Sequence, residues 1–271
     1  MNLLYCSNSN GFDGIMISLL SVTNHTEENI NVIILTMDLS EQDPSHTPIT
    51  DGQKGTLQNI LSDKKNGGTV SVIDCTELFK NNVEKDNPNM ESFYTPYCML
   101  RLVADLVPDM PDKVLYLDTD TVAFKNISEL YNTDMTDYEL GAVEDYLGRW
   151  FKHIGYINSG VLLMNVKKIR ETGLFERTRQ RCKSRKSWFP DQDAINAEMR
   201  YVLMLPERYN SQRWLKSNTV IRHFCKSIRW FPFYHTVNVK PWQINEVHSV
   251  LKITALDGIF AEYQGYKKGM Y

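Results

Sequence analysis

The stretch Val114-Leu115-Tyr116-Leu117-Asp118-Thr119-Asp120-Thr121-Val122 (VLYLDTDTV) runs four apolar residues into two carboxylates one residue apart. A short apolar run that stops at polar residues reads as a strand buried on both faces, as in a parallel sheet. In extended backbone, residues i and i+2 point the same way, so Asp118 and Asp120 project together while Thr119 faces the other side. Two carboxylates ~5 Å apart at an effective dielectric of ~20 repel by about 3 kcal/mol. Either a shared proton or a divalent cation compensates that repulsion, or the pair is solvated at a turn.

Outward from this strand, short apolar runs alternate with longer patterned segments, the signature of βαβ units. Strands are expected at 3–7, 32–37, 70–75 and 114–120, with helices at 13–22, 52–65 and 95–107. Further on, 140–143 and 156–166 read as strands, 167–186 as one long basic helix and 190–199 as a short helix. The expected class is α/β, a mixed, mostly parallel sheet flanked by helices. Ligands of such sheets sit beyond the carboxyl ends of the strands. The segment from Ser7 to Asn10 and the Asp118-Thr119-Asp120 triplet both fall at such ends.

Composition narrows the function. The chain has 271 residues, 42% hydrophobic and 23% charged, with a net charge of -3. It can bury a sizeable core and lacks the bulk positive charge that nucleic-acid binding favours. Its five cysteines are scattered, with no Cys-x-x-Cys pair, so no disulfide framework is expected. No stretch approaches the ~18 apolar residues of a membrane span. A cytoplasmic protein is expected, with peripheral contact at the inner face of the membrane left open.

Two resemblances compete for the aspartates. Asp-x-Asp-x-Thr-Val after an apolar strand resembles the first motif of haloacid-dehalogenase-like magnesium phosphatases, which would make Asp118 a nucleophile. That motif usually opens its domain, whereas about 110 residues precede it here. The nearest candidate for the required downstream acidic pair is Val143-Glu144-Asp145. More blocks, in order, resemble the retaining glycosyltransferases of family 8, the lipopolysaccharide galactosyltransferase and glycogenin relatives. They are Tyr5-Cys6-Ser7-Asn8-Ser9-Asn10, VLYLDTD, Tyr156 to Asn165 (YINSGVLLMN), Pro190 to Asn196 (PDQDAIN) and Lys240-Pro241-Trp242.

That resemblance implies a GT-A (Rossmann-like) fold spanning 1–271, with a nucleotide-binding half at 1–120 and a sugar and acceptor half at 121–271. It implies a Mn2+-dependent hexosyltransferase, with Mg2+ as the other candidate, using UDP-glucose or UDP-galactose. The acceptor would be a hydroxyl of a glycan, glycolipid or glycoprotein. Cys6, Ser7, Asn8, Asn10, Thr119 and Lys240 would contact the nucleotide donor. Asp118, Asp120 and His223 would hold the metal, with His235 as the second choice of histidine. Asn158, Asp191 and Gln192 would line the sugar pocket, Gln192 near the anomeric carbon.

The sequence departs from that pattern in two places. Met99 stands where the family has a basic residue, and Arg101 lies two positions on, which in an α-helix is another face. About eleven extra residues separate His223 from Lys240. The segment 226–239 includes the aromatic run 230–234 and reads as a packed loop over the crevice or as an aromatic platform. Cys225 reads as a core cysteine.

Overall fold

The computed structural model describes residues 1–64, 66–92, 95–229 and 233–269. Its strands are β1 (Asn2–Cys6), β2 (Asn31–Thr36), β3 (Val70–Asp74), β4 (Lys113–Leu117), β5 (Thr121–Ala123), β6 (Leu140–Glu144), β7 (Ile157–Asn165), β8 (Val202–Met204), β9 (Ile221–His223), β10 (Ser227–Arg229) and β11 (His235–Val237). Seven of them form one sheet in the order β3-β2-β1-β4-β7-β6-β8. β3, β2, β1 and β4 run parallel, β7 is antiparallel to both β4 and β6, and β6 pairs parallel with β8. The mostly parallel sheet expected from the sequence is therefore present.

Period-two alternation explains why these runs are apolar throughout. Leu3 and Tyr5 of β1, with Leu115 and Leu117 of β4, enter one core; Leu4, Cys6, Val114 and Tyr116 enter the other. Helices Phe12–Thr23 and Asp51–Asp63 cover the first face, while the 3-10 helix Pro96–Val103 and helix Leu174–Ser184 cover the second. A capping box fixes the start of Asp51–Asp63, Thr50 accepting from Gln53 and Gln53 answering. Between β1 and β4 the chain reverses its direction of winding, which opens a crevice at their carboxyl ends.

Three expectations need correction. The expected helix at 167–186 is two, Val166–Thr172 and Leu174–Ser184, broken at Gly173, whose φ of 67° suits glycine. The expected helix at 95–107 is a 3-10 helix over Pro96–Val103. The strand expected at 114–120 ends at Leu117, and Asp118 to Asp120 form a turn closed by the Thr121 amide on the Asp118 carbonyl, 3.0 Å. A turn, then, and not strand alternation, sets the aim of the two carboxylates.

Candidate active site

β4 delivers Asp118 and Asp120 to the crevice, and β9 delivers His223 opposite them through the antiparallel pair β5·β9, in which Thr121 faces His223. Each carboxylate has one oxygen already engaged. Asp118 Oδ1 accepts from Arg101 Nη2 at 2.9 Å and from the Tyr116 hydroxyl at 2.5 Å. Asp120 Oδ2 accepts from Lys240 Nζ at 2.5 Å. The remaining oxygens face one atom: His223 Nε2 lies 3.1 Å from Asp120 Oδ1 and 3.7 Å from Asp118 Oδ2.

The other side of the imidazole is fixed by Asn158. Its Oδ1 accepts the Gly160 amide at 3.0 Å and Asn210 Nδ2 at 2.9 Å, while its Nδ2 donates to Asp145 Oδ2 at 2.9 Å. A backbone amide can only donate and a carboxylate only accept, so the orientation of the Asn158 amide follows from the network. Oδ1 must then accept from His223 Nδ1, 3.1 Å away, which leaves Nε2 as the atom aimed at the carboxylates. Gly160 makes the approach possible, since a Cβ there would fall 2.1 Å from His223 Cε1.

This donor set fits a divalent cation. The oxygens of Asp118 and Asp120 and a nitrogen of His223 lie within 4.8 Å of one another, and Asp120 and His223 are buried. Two carboxylates with one imidazole suit a transition metal better than a site of oxygens alone. His235 is not part of the group: it is exposed on β11, its Nδ1 2.8 Å from the Phe233 carbonyl.

Arg101 reverses a sequence expectation. Met99 is fully buried in the apolar layer, its Sδ accepting from Asn87 Nδ2 at 3.5 Å, while Arg101, 3% exposed, reaches the site: its guanidinium bonds the Ser159 carbonyl and Asp118, lies 3.4 Å from Asp191 and stacks 4.2 Å over the Tyr116 ring. In 3-10 winding, i and i+3 share a face, and Arg101 Nε accordingly donates to the Cys98 carbonyl at 2.9 Å. Met99 and Arg101 do lie on different faces, as the spacing predicts, and it is the face of Arg101 that meets the site.

Asp191 and Gln192 open the helix Pro190–Glu198 beside β7. Ser159 holds both: its hydroxyl donates to Asp191 Oδ2 at 3.2 Å, and its amide to Gln192 Oε1 at 3.0 Å. Gln192 Nε2 reaches Asp145 at 3.3 Å. Asp145, at the end of β6, thus ties Asn158 to Gln192. In the sequence, Asp145 stands out only as part of the acidic pair that the phosphatase resemblance would require.

Burial acts differently on the two buried aspartates. It pushes the Asp191 carboxyl above its usual range, since the opposing charge of Arg101 is shared with Asp118. The same burial at Asp120 is outweighed by His223 and Lys240, which hold its carboxyl far below the ordinary value.

At the end of β1, the Asn8 side chain accepts the Gly11 amide at 3.1 Å and shapes the 3-10 turn Ser9–Gly11. Asn10 donates to the Ser45 carbonyl at 2.8 Å, Ser7 is buried, and the buried Cys6 side chain belongs to the apolar layer. Trp242 and the Thr119 carbonyl close on Gly14, where a Cβ would lie 2.8 and 2.5 Å from them. The Lys-Pro-Trp segment is thereby docked against the metal turn. Of the aromatic run, Trp230, Phe231 and Pro232 lie outside the described residues, and Phe233 is 81% exposed. Surface cavities of 490 Å³ beside Arg170 and 780 Å³ beside His25 share no residue with this site.

Asp118 as a phosphatase nucleophile does not survive this geometry. Glu144 and Asp145 lie at the end of β6, which β7 separates from β4, and both have other partners than Asp118, Glu144 in Arg149 at 3.2 Å and Asp145 in Asn158 and Gln192.

Comparison with known proteins agrees. The chain is 48% identical over 63 residues to Glycosyltransferase GlyA of Streptococcus pneumoniae, covering 23% of this chain and 9% of that protein. It is 24% identical over 234 residues to the lipopolysaccharide 1,2-glucosyltransferase of Escherichia coli K12, covering 80% of this chain and 64% of that one. The chain thus spans less than two thirds of the length of these relatives. The galactosyltransferase LgtC, solved with donor and acceptor sugar analogs, superposes with a TM-score of 0.70 at 20% identity over 98% of this chain and 96% of that one. This likeness shows the GT-A fold. The sequence model of glycosyl transferase family 8 matches residues 2–246, and the chain belongs to that family.

Proposed function

We propose that the chain moves glucose or galactose from a UDP-sugar to a hydroxyl of a glycan, glycolipid or glycoprotein, with retention at the anomeric carbon. One observation carries the reading: Asp118 and Asp120 each keep one oxygen paired with a cation, the buried Arg101 and the half-buried Lys240, and turn the other toward His223 Nε2. Asp118, Asp120 and His223 would hold Mn2+, or Mg2+ in its place, and the ion would supply a Lewis acid for the departing diphosphate. The choice between glucose and galactose follows the names of relatives that use one or the other.

The chain's own residues divide the remaining work. Arg101 and Lys240 each pair with one carboxylate and add positive charge where a diphosphate would collect. Ser7, Asn8, Asn10 and Thr119 edge the crevice on the nucleotide side, with Cys6 beneath them. Residues 1–120 would serve the nucleotide and 121–271 the sugar and acceptor. Asp191 and Gln192, held by Ser159, face the sugar. An amide is a weak nucleophile compared with the carboxylate of a retaining glycosidase, so Gln192 favours attack on the same face through an oxocarbenium-like state. Asp145, which holds both Asn158 and Gln192, lies where an incoming hydroxyl could be met.

The test is UDP release from UDP-glucose and UDP-galactose, with Mn2+ and with a chelator, for wild type and Asp120→Asn. Release that needs the metal and falls ~10³-fold in the variant is expected, and the faster donor names the sugar. Release unaffected by both chelator and substitution would refute the reading.

A further inference from the structure

The mouth of the site differs sharply from its floor. Segments 148–154, 185–189, 213–216 and 226–237 each carry two Lys or Arg and no Asp or Glu, although the chain as a whole has a net charge of -3. Side-chain contacts join them around Asp145. Asp193 receives Lys152 at 3.0 Å, the Tyr156 hydroxyl at 2.6 Å and the Phe189 amide at 3.3 Å. Gln212 spans from the Tyr146 amide to the Glu144 carbonyl, the Tyr146 hydroxyl accepts the Ile228 amide, and Arg229 lies 5.1 Å over the Trp214 ring. Three of the rim cations are paired with carboxylates, Arg149 with Glu144, Lys152 with Asp193 and Lys216 with Glu207, which leaves Arg185, Lys186, Arg213, Lys226 and Arg229 as the surplus of the rim.

Apolar side chains stand out from this basic rim. Trp150, Phe151, Ile154 and Trp188 are 78%, 71%, 82% and 84% exposed. Single exposed hydrophobics are ordinary, but four large ones on two neighbouring loops beside a site are not. A sugar subsite would need a concave wall with ring faces and hydrogen-bonding groups, and Ile154 offers neither. A fluid apolar layer under anionic headgroups accepts protruding side chains without shape, favours tryptophan at its boundary and attracts the surrounding lysines and arginines.

We propose that this rim docks on an anionic membrane surface, with Trp150, Phe151, Ile154 and Trp188 entering the lipid interface. Contact is peripheral: among the described residues no helix is long and apolar enough to cross a membrane. The docking stands on the rim alone. That it presents the site to a lipid-linked acceptor rests on the sugar-transfer reading above.

The experiment is flotation of the purified chain with vesicles of phosphatidylcholine alone, or with about 30% phosphatidylglycerol added, in the absence of any donor. The chain is expected to float with the anionic vesicles, with tryptophan emission shifted to the blue. The triple variant Trp150→Ser, Ile154→Ser, Trp188→Ser is expected to lose at least ~10-fold in partitioning while melting at the wild-type temperature and releasing UDP at the wild-type rate without vesicles. A wild type that stays in the soluble fraction, or a triple variant that floats as well as wild type, overturns the proposal. So does equal binding of both proteins to soluble polyphosphate in competition with vesicles, which would assign the rim to a polyanionic polymer. Because UDP release is read separately, its failure would strike the transfer reading and leave the docking result standing.

Discussion

The floor and the rim of the site hold charge in opposite ways. On the floor, Arg101, Lys240, Asp118, Asp120 and Asp191 are packed with fixed partners at 2.5 to 3.4 Å. At the rim, basic groups surround exposed rings with few acids to meet them. Burying a charge is tolerable only with a partner and good geometry, so the floor is suited to one small, highly charged ligand. An exposed rim has no such constraint, and it suits a partner recognised by charge and apolarity without shape.

The sharpest way to break this contrast is at Arg101. Arg101→Leu would leave Asp118 and Asp191 without their shared cation in a buried setting, and a loss of ~3–5 kcal/mol is expected in denaturant unfolding. A loss under ~1 kcal/mol, the ordinary cost of an exposed pair, would mean that the floor is wetter than described. Gly160→Ala comes next. Its methyl cannot coexist with the His223 ring in place, so Mn2+ affinity measured by calorimetry should fall ~100-fold, with a stability cost of ~1–3 kcal/mol.

Asn158→Ala sharpens the same point by removing only the acceptor for His223 Nδ1. Mn2+ affinity should drop ~10- to 100-fold, and an unchanged affinity would show that the imidazole is oriented without it. Smallest is Met99→Leu, a swap of similar volume inside an apolar layer, expected to cost less than ~1.5 kcal/mol and to leave the KM for donor unaltered. A large change in KM there would return Met99 to the donor site and contradict the assignment of that task to Arg101.

How much of this was legible depended on which rule governed each segment. The parallel half could be read because β1, β2 and β4 are short apolar runs buried on both faces, with their polar ends at the crevice. The blocks around Asp118, Asn158, Asp191, His223 and Lys240 were legible as a family pattern, and the structure brings all five together. Arg101 was missed because the family pattern puts the basic residue at position 99; i and i+2 lie on different faces in 3-10 as in α winding, and only the packing shows that the face of Arg101, not that of Met99, meets the site. The turn at Asp118 to Asp120 was hidden because strand alternation also makes the two aspartates project together, whereas here a hydrogen-bonded turn does it. Asp145 and Asn210 carry no local signal, since their importance lies in contacts with Asn158 across 13 and 52 residues of sequence. The exposed apolar side chains Trp150, Phe151, Ile154 and Trp188 carry no signal in the sequence, since only the structure shows that they point into solvent.

The central claim is that Asp118, Asp120 and His223 form a single divalent-cation site. Electron paramagnetic resonance of Mn2+ titrated into the chain, with and without UDP, tests it most directly. The account predicts one bound ion per chain, bound more tightly with UDP and lost in both Asp120→Asn and His223→Ala. Undiminished binding in either variant would contradict it.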